Sequence, residues 1–391
     1  MRDFKFSIPT SINFGKEALS NLVGELEKIN AKKVMICYGS ERIRQNGLLG
    51  KVEDMLKNAG ISYILFGGVK ANPRYSHVLD GVKLAKEFLP DCMLAIGGGS
   101  VIDTAKAIAI GAVNDGDLWD IWCYKIKEKT ALKVGCILTI PAAGSETSDS
   151  AVLTNDYLMD KRGHSSDKFV CCFAIMNPEY ALTLPKYQIA CGVVDIMMHT
   201  LDRYFYKPQI QQNFMTDSIA EALLRNVIEY GKKAYTDCDY QSMSEIMWAG
   251  SLSHNNLTGL GGGREFAVHQ LGHELSAMFD VAHGASLSAM WGHWARYVLD
   301  KDVDRFIRYA NRVWNIEGND RLTALKGIEA TENYFKSLDM PVSLVELVGK
   351  QSDDTLKTLA HKCSRNGSRV VGEFSKMSED ILYSVYCQAN K

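Results

Sequence analysis

Residues 92–112 read CMLAIGGGSVIDTAKAIAIGA. A short apolar run, three consecutive glycines and a longer apolar segment follow one another without a break, which is the outline of a buried strand, a tight turn and a helix. Ser100 stands where the helix opens and Asp103 follows three residues later, the spacing of a capping box. The glycines allow two explanations. They let a strand and a helix pack closely, or they let backbone N–H groups and the helix N-terminus approach a phosphate. The stretch matches neither GxGxxG nor GxxxxGK[ST], so it leaves both open.

Working outward, KKVMICYG, ISYILFGG, KVGCILTIP and FAIMNPEY repeat the same theme, apolar runs closed by Gly, Pro or Asn and separated by amphipathic stretches. This alternation predicts an α/β domain with a largely parallel sheet over residues 1–187. Six of the eight prolines lie at or before Pro185, and the segments beyond it carry helical periodicity with few β-branched runs. An all-helical domain is therefore expected over residues 188–391. A junction of this kind is where ligand sites gather.

In VMICYGSERIR, a second strand end, Gly39 and Ser40 occupy the place where an NAD-binding strand often ends in an acidic residue that grips a ribose hydroxyl. Small residues there leave room for a 2′-phosphate, with Arg42 and Arg44 as charged donors, while Glu41 argues the other way.

The chain has 391 residues, 46% hydrophobic and 23% charged, enough for two or three globular domains. Its 44 basic residues are balanced by 46 acidic ones, with no long basic run, so nucleic acid is not an expected partner. The first residues, MRDFKFSIPTSINFG, lack the apolar core of a signal peptide, and the most apolar stretch is interrupted by glycines, Asp103 and Lys106. A cytoplasmic protein without membrane attachment is expected. The ten cysteines form no CxxC pair, so neither disulfides nor a thiolate metal site are expected.

Residues 191–206, CGVVDIMMHTLDRYFY, place Asp195 and His199 one helical turn apart on one face. A carboxylate and an imidazole so related can chelate a cation or simply hydrogen-bond. Residues 269–284, HQLGHELSAMFDVAHG, hold His269, His273 and His283. The first two are not HExxH, because Gln270 stands in the glutamate position, which disfavours a metalloprotease. Together the two segments can build a site of three imidazoles and one carboxylate, suited to Fe(II) or Zn(II) and too rich in nitrogen for Mg(II) or Ca(II).

With these motifs in place the chain resembles the iron-containing, metal-dependent alcohol dehydrogenases, and among them the NADPH-dependent butanol dehydrogenase-like aldehyde reductases. The resemblance runs through YGSERIRQNG, ANPRYSHVLDGVKLAKE, IGGGSVIDTAKAIA, TIPAAGSE, GVVDIMMHTLDRYF and HQLGHELSAMFDVAHG. It implies a Rossmann-like dinucleotide-binding domain followed by an all-α domain, the dehydroquinate synthase-like architecture. It implies Asp195, His199, His269 and His283 as ligands of one divalent metal, Fe(II) or Zn(II). It implies Gly97, Gly98, Gly99 and Ser100, with Asp103 beside them, at the cofactor pyrophosphate, and Gly39 and Ser40 at the adenosine ribose. Thr139 and Ser145 fall near the cofactor and Lys161 near the nicotinamide. The chain departs from the family pattern at Glu41 and at Ala143, where a Thr is frequent.

The reaction so implied is hydride transfer between NADP(H) and a primary alcohol or aldehyde, with His273 as proton carrier and His164 as a second candidate. A homodimer is also implied. Trp119 and Trp122 either wall an apolar pocket or are packing aromatics. Two other classes remain: a lyase or cyclase of dehydroquinate synthase-like architecture, and a metal-stabilised protein without activity. The first needs a cluster of basic residues, which the candidate metal helices do not show.

Overall fold

The computed structural model describes residues 2–206 and 213–391. The chain divides into two compact units, one of Ser7–Thr183 and one formed by Leu184–Lys391 with the N-terminal residues up to Phe6. The division falls four residues before the expected junction, because the last strand ends at Met176 and Leu184 already leads into a helix beginning at Lys186. The N-terminal residues join the second unit, where the Arg2 N–H donates to the Gly261 carbonyl at 3.1 Å.

The first unit is built on six strands: β1 (Ser11–Phe14), β2 (Lys33–Tyr38), β3 (Ser62–Phe66), β4 (Cys92–Gly97), β5 (Lys133–Leu138) and β8 (Phe173–Met176). They form one sheet in the order β1-β8-β5-β4-β2-β3, parallel throughout. β4 is buried along its whole length, as a parallel strand covered on both faces must be. β2 and β4 lie side by side, with Tyr38 opposite Ile96. The chain leaves β2 for β3 on one side and leaves β4 for β5 on the other. Their carboxyl ends thus flank a topological switch point, where open α/β sheets bind ligands. The two glycine turns singled out in the sequence are the turns at these two strand ends.

The helix after β4, Gly99–Gly111, is buried at every position from Val101 onward, Asp103 and Lys106 included. Its one basic residue, Lys106, is fully buried and its Nζ donates to the carbonyls of Ser145, Ser148 and Ser150 at 2.7, 3.1 and 2.9 Å. The expected capping box does not form. The N-cap is Gly98, without a side-chain cap, and Asp103 Oδ2 instead accepts from the Val152 N–H at 2.9 Å. Val152 belongs to β6 (Ser150–Asn155), which pairs with β7 (Asp160–Ser165) in an antiparallel hairpin. A buried carboxylate gains more from an otherwise unsatisfied strand amide than from its own helix end.

Among the described residues, every regular element of the second unit is helical, apart from an isolated bridge between Val371 and Met377. Asp239, Asp320 and Ser352 cap their helices by accepting from the N–H groups of Ser242, Thr323 and Thr355, which explains why the helices start there. The Lys186–Tyr204 helix is buried at every position from Gly192 to Tyr204 and forms the core of this unit. Among the described residues no helix is long and apolar enough to cross a membrane.

Candidate functional site

Three helices of the second unit converge on one carboxylate oxygen. Asp195 and His199 lie one turn apart on Lys186–Tyr204, His269 sits in Ala267–Phe279, and His283 opens His283–Val298. Asp195 Oδ1 stands 3.6 Å from His199 Nδ1, 3.7 Å from His269 Nε2 and 3.7 Å from His283 Nε2. The approach depends on two glycines. A Cβ at Gly284 would meet the Cys191 carbonyl oxygen at 2.2 Å, and one at Gly272 would meet Ser286 Oγ at 2.8 Å.

These separations are too long for hydrogen bonds, and Asp195 Oδ1, His199 Nδ1 and His269 Nε2 are buried without one. Ligands about 2.0–2.1 Å from a tetrahedral ion lie about 3.4 Å apart, close to what is observed. Buried polar atoms left this way are costly, and a cation at their focus satisfies them together. Among the described residues, Asp195, His199 and His269 form a buried group able to hold a metal. The residues therefore fit a divalent ion. Burial, followed by the neighbouring His254 and His269, pushes the His199 imidazole well below its ordinary value, which keeps it neutral as a ligand must be. Burial also depresses His269, but the carboxylates of Asp202 and Asp195 outweigh it and raise this imidazole to about 9. A cation held at Nε2 would take the place of that proton.

Asp202, which sequence reasoning did not select, pairs with His269 Nδ1 and is 2% exposed. It lies seven residues after Asp195 on the same helix face, and that spacing was the available signal. A carboxylate behind a ligating imidazole fixes its tautomer and ring orientation. His254 was also missed; its ring lies 3.9 Å from that of His199, centroid to centroid. His273 is buried beside this group, its ring 5.2 Å from His283 and 6.3 Å from His269. The side chain of His283 is 24% exposed against 4–6% for the other three, so the centre is most open on the His283 side.

In the first unit the switch point brings together most of the expected cofactor residues. Gly97 ends β4 and its carbonyl accepts from the Thr139 N–H at 3.0 Å. Gly98 packs on Ile140, and Gly99 on Ala143 and Ser145, so that a Cβ at either would come within 3 Å of a neighbour. Close packing thus accounts for the glycines, and it also leaves Gly99 and Ser100 in a first helical turn whose N–H groups have no intrahelical partner. Asp103 is turned toward Val152 and Ser145, and burial raises its carboxyl above the ordinary range, against the charge of Lys106. Lys161 is buried in β7 and donates to Asn72 Oδ1 at 2.8 Å.

At the end of β2, beyond Gly39 and Ser40, Glu41 pairs with Arg44 at 3.1 Å, and Arg42 donates to the Thr183 carbonyl. Both arginines therefore already have partners. His164 is packed among Trp122, Tyr124 and Phe169, with Glu128 3.2 Å from its Nε2. Trp119 and Trp122 are buried against Arg162 and this cluster, as packing aromatics.

Comparison with known proteins accords with this geometry. The description "Iron-containing alcohol dehydrogenase" matches residues 9–178, and "Fe-containing alcohol dehydrogenase family, C-terminal" matches residues 189–389. The chain is 38% identical to NADH-dependent butanol dehydrogenase A of Clostridium acetobutylicum over 98% of each chain. It is 35% identical to the NADPH-dependent aldehyde reductase YqhD of Escherichia coli over 99% of each. The crystal structure of NADH-dependent butanol dehydrogenase A from Thermotoga maritima superposes with a TM-score of 0.94 at 31% identity, covering 100% of this chain and 99% of that one. The two-domain, dehydroquinate synthase-like fold is shared with these enzymes. The chain belongs to the iron-containing alcohol dehydrogenase family, whose members use a nicotinamide cofactor and a divalent metal.

Proposed function

We propose that the protein interconverts a primary alcohol and its aldehyde with NADP(H), using one divalent ion, Fe(II) or Zn(II), held by Asp195, His199, His269 and His283. The observation that carries this reading is the convergence of three imidazole nitrogens on Asp195 Oδ1 at 3.6–3.7 Å. When bound, the ion supplies Lewis acidity toward the substrate oxygen and the nicotinamide supplies the hydride. The chain's own groups do the rest. Asp202 orients His269, and His273 carries a proton at a ring nitrogen to or from the substrate oxygen. Gly97, Gly98, Gly99 and Ser100 receive the pyrophosphate at the helix N-terminus, and Thr139, Ser145 and Lys161 border the cofactor.

Room at Gly39 and Ser40 supports NADP(H) over NAD(H). The Glu41–Arg44 pair opposes it, because a 2′-phosphate must draw Arg44 away from Glu41, so the preference is modest. A homodimer in the cytoplasm completes the reading. The test is an assay of purified protein with NADPH or NADH against a panel of aldehydes, with metal content measured on the same sample. Full turnover in verified metal-free protein would refute the role of the ion.

A further inference from the structure

A fourth helix of the second unit, Tyr240–His254, packs along Lys186–Tyr204 and ends against His199. Its last residue is fixed by the turn that follows. Asn255 Oδ1 accepts from the Leu257 N–H at 3.0 Å, and Asn256 adopts φ +74°, a left-handed conformation that asparagine tolerates. The chain thus leaves the helix sharply. The half-buried imidazole of His254 stays at the helix end, its ring centroid 3.9 Å from that of His199 and the two planes 31° apart. At that separation the rings meet by their faces. His199 in turn lies 4.6 Å from His269 with the planes 25° apart. Ring contacts therefore run through three imidazoles from three helices, with His199 in the middle.

His269 and His199 are held in different ways. The carboxylate of Asp202 pairs with Nδ1 of His269 and sets its ring. Nδ1 of His199 faces Asp195 Oδ1 at 3.6 Å and is buried without a hydrogen bond, so that atom does not set the ring. The last side-chain torsion of a histidine is broad, and what restrains it here is the surface lying against the ring. A flat ring restrains it where an aliphatic group of similar bulk does not, and a π face also stabilises an imidazole that shares charge with a cation. We infer that His254 is a positioning residue of the metal centre, whose stacked ring holds His199 with Nδ1 toward Asp195. This role rests on ligation of an ion by His199, as proposed above.

The test loads Co(II) into the purified protein and into its His254→Phe and His254→Leu variants. Both substitutions fill the space, and only the first keeps a ring. Affinity is read by competition with a chelator, the geometry at the ion by the visible d–d absorption band, and folding by circular dichroism and thermal melting of the metal-free proteins. His254→Leu is expected to bind Co(II) about tenfold more weakly, with a shifted band and an unchanged melting temperature. His254→Phe is expected to keep the affinity and the band of the parent. Parent-like affinity and band in His254→Leu would overturn the role. Equal loss in both variants would also overturn it, because a ring nitrogen and not the ring face would then be what acts. A parent protein that binds no Co(II) would overturn the metal reading as well as this role.

Discussion

Asp202 stands behind His269, its carboxylate paired with Nδ1 while Nε2 of the same ring faces Asp195 Oδ1 at 3.7 Å. One buried imidazole is thus held between two carboxylates from a single helix, one orienting it and the other, on the proposed reading, a fellow ligand of the metal. Asp202→Asn keeps the shape and removes the charge. It should weaken metal affinity by about 10- to 100-fold, read by competition with a calibrated chelator, while leaving the helical content intact. Unchanged affinity would mean that packing alone orients the ring.

On the proposed reading the histidines divide between two tasks. His269→Ala and His283→Ala should lose metal and activity together. His273→Ala should keep its metal and most of its cofactor affinity, and lose about 100- to 10,000-fold in turnover with an altered pH profile. Metal content per chain, cofactor titration and turnover across pH separate these outcomes. If His273→Ala emptied the centre and His269→Ala did not, the roles would be exchanged.

Gly284 lets the third helix touch the first. Its Ala variant places a methyl 2.2 Å from the Cys191 carbonyl oxygen, a backbone atom that cannot rotate away. Gly284→Ala should cost about 1–3 kcal/mol of stability and displace His283, so that metal binds more weakly even where the protein remains folded. Thermal melting with and without added metal measures both effects.

Glu41→Gln frees Arg44 from its ion pair. The ratio of NADPH to NADH affinity should rise by about two- to fivefold, the scale of an exposed ion pair. Titration of both reduced cofactors with parent and variant decides it. A fall in the ratio would show that Arg44 faces away from the ribose.

Glu265 contributes a pH dependence of stability. Burial, partly offset by N–H groups of Phe374 and Glu373 and by Trp294, raises its carboxyl from 4.5 to about 7. The folded state thus holds this proton more tightly than the unfolded state. The contribution is fully present below about pH 4.5 and is lost as pH rises toward 7, up to roughly 3 kcal/mol. Glu265→Gln should flatten the denaturation midpoint over that window. A slope unchanged from the parent would assign it to other groups.

The five strands read from apolar runs, β2, β3, β4, β5 and β8, are present, and so is the change to helices after Pro185. These features follow from local periodicity and burial. β1 and the β6–β7 hairpin were not anticipated. SINF is four residues long at a sheet edge, and the hairpin segment TNDYLMDKRGHSS is mostly polar, so neither carries a strong alternation. Asp103 shows the same limit, since its spacing suggested a cap and its actual partner lies 49 residues away.

What the sequence determined by itself was set by short-range geometry: the glycine turn after β4, and the Asp195–His199 pair one helical turn apart. What only the tertiary structure decided was which groups from distant segments share a space. Among these are the seating of His269 and His283 on Asp195 through the glycine contacts, the carboxylate of Asp202 behind His269, and the neutralisation of Arg44 by Glu41. The physical reason is that an i,i+4 spacing positions side chains within one turn of a helix, whereas contacts across helices depend on how closely backbones approach, and that is set by packing around the whole core.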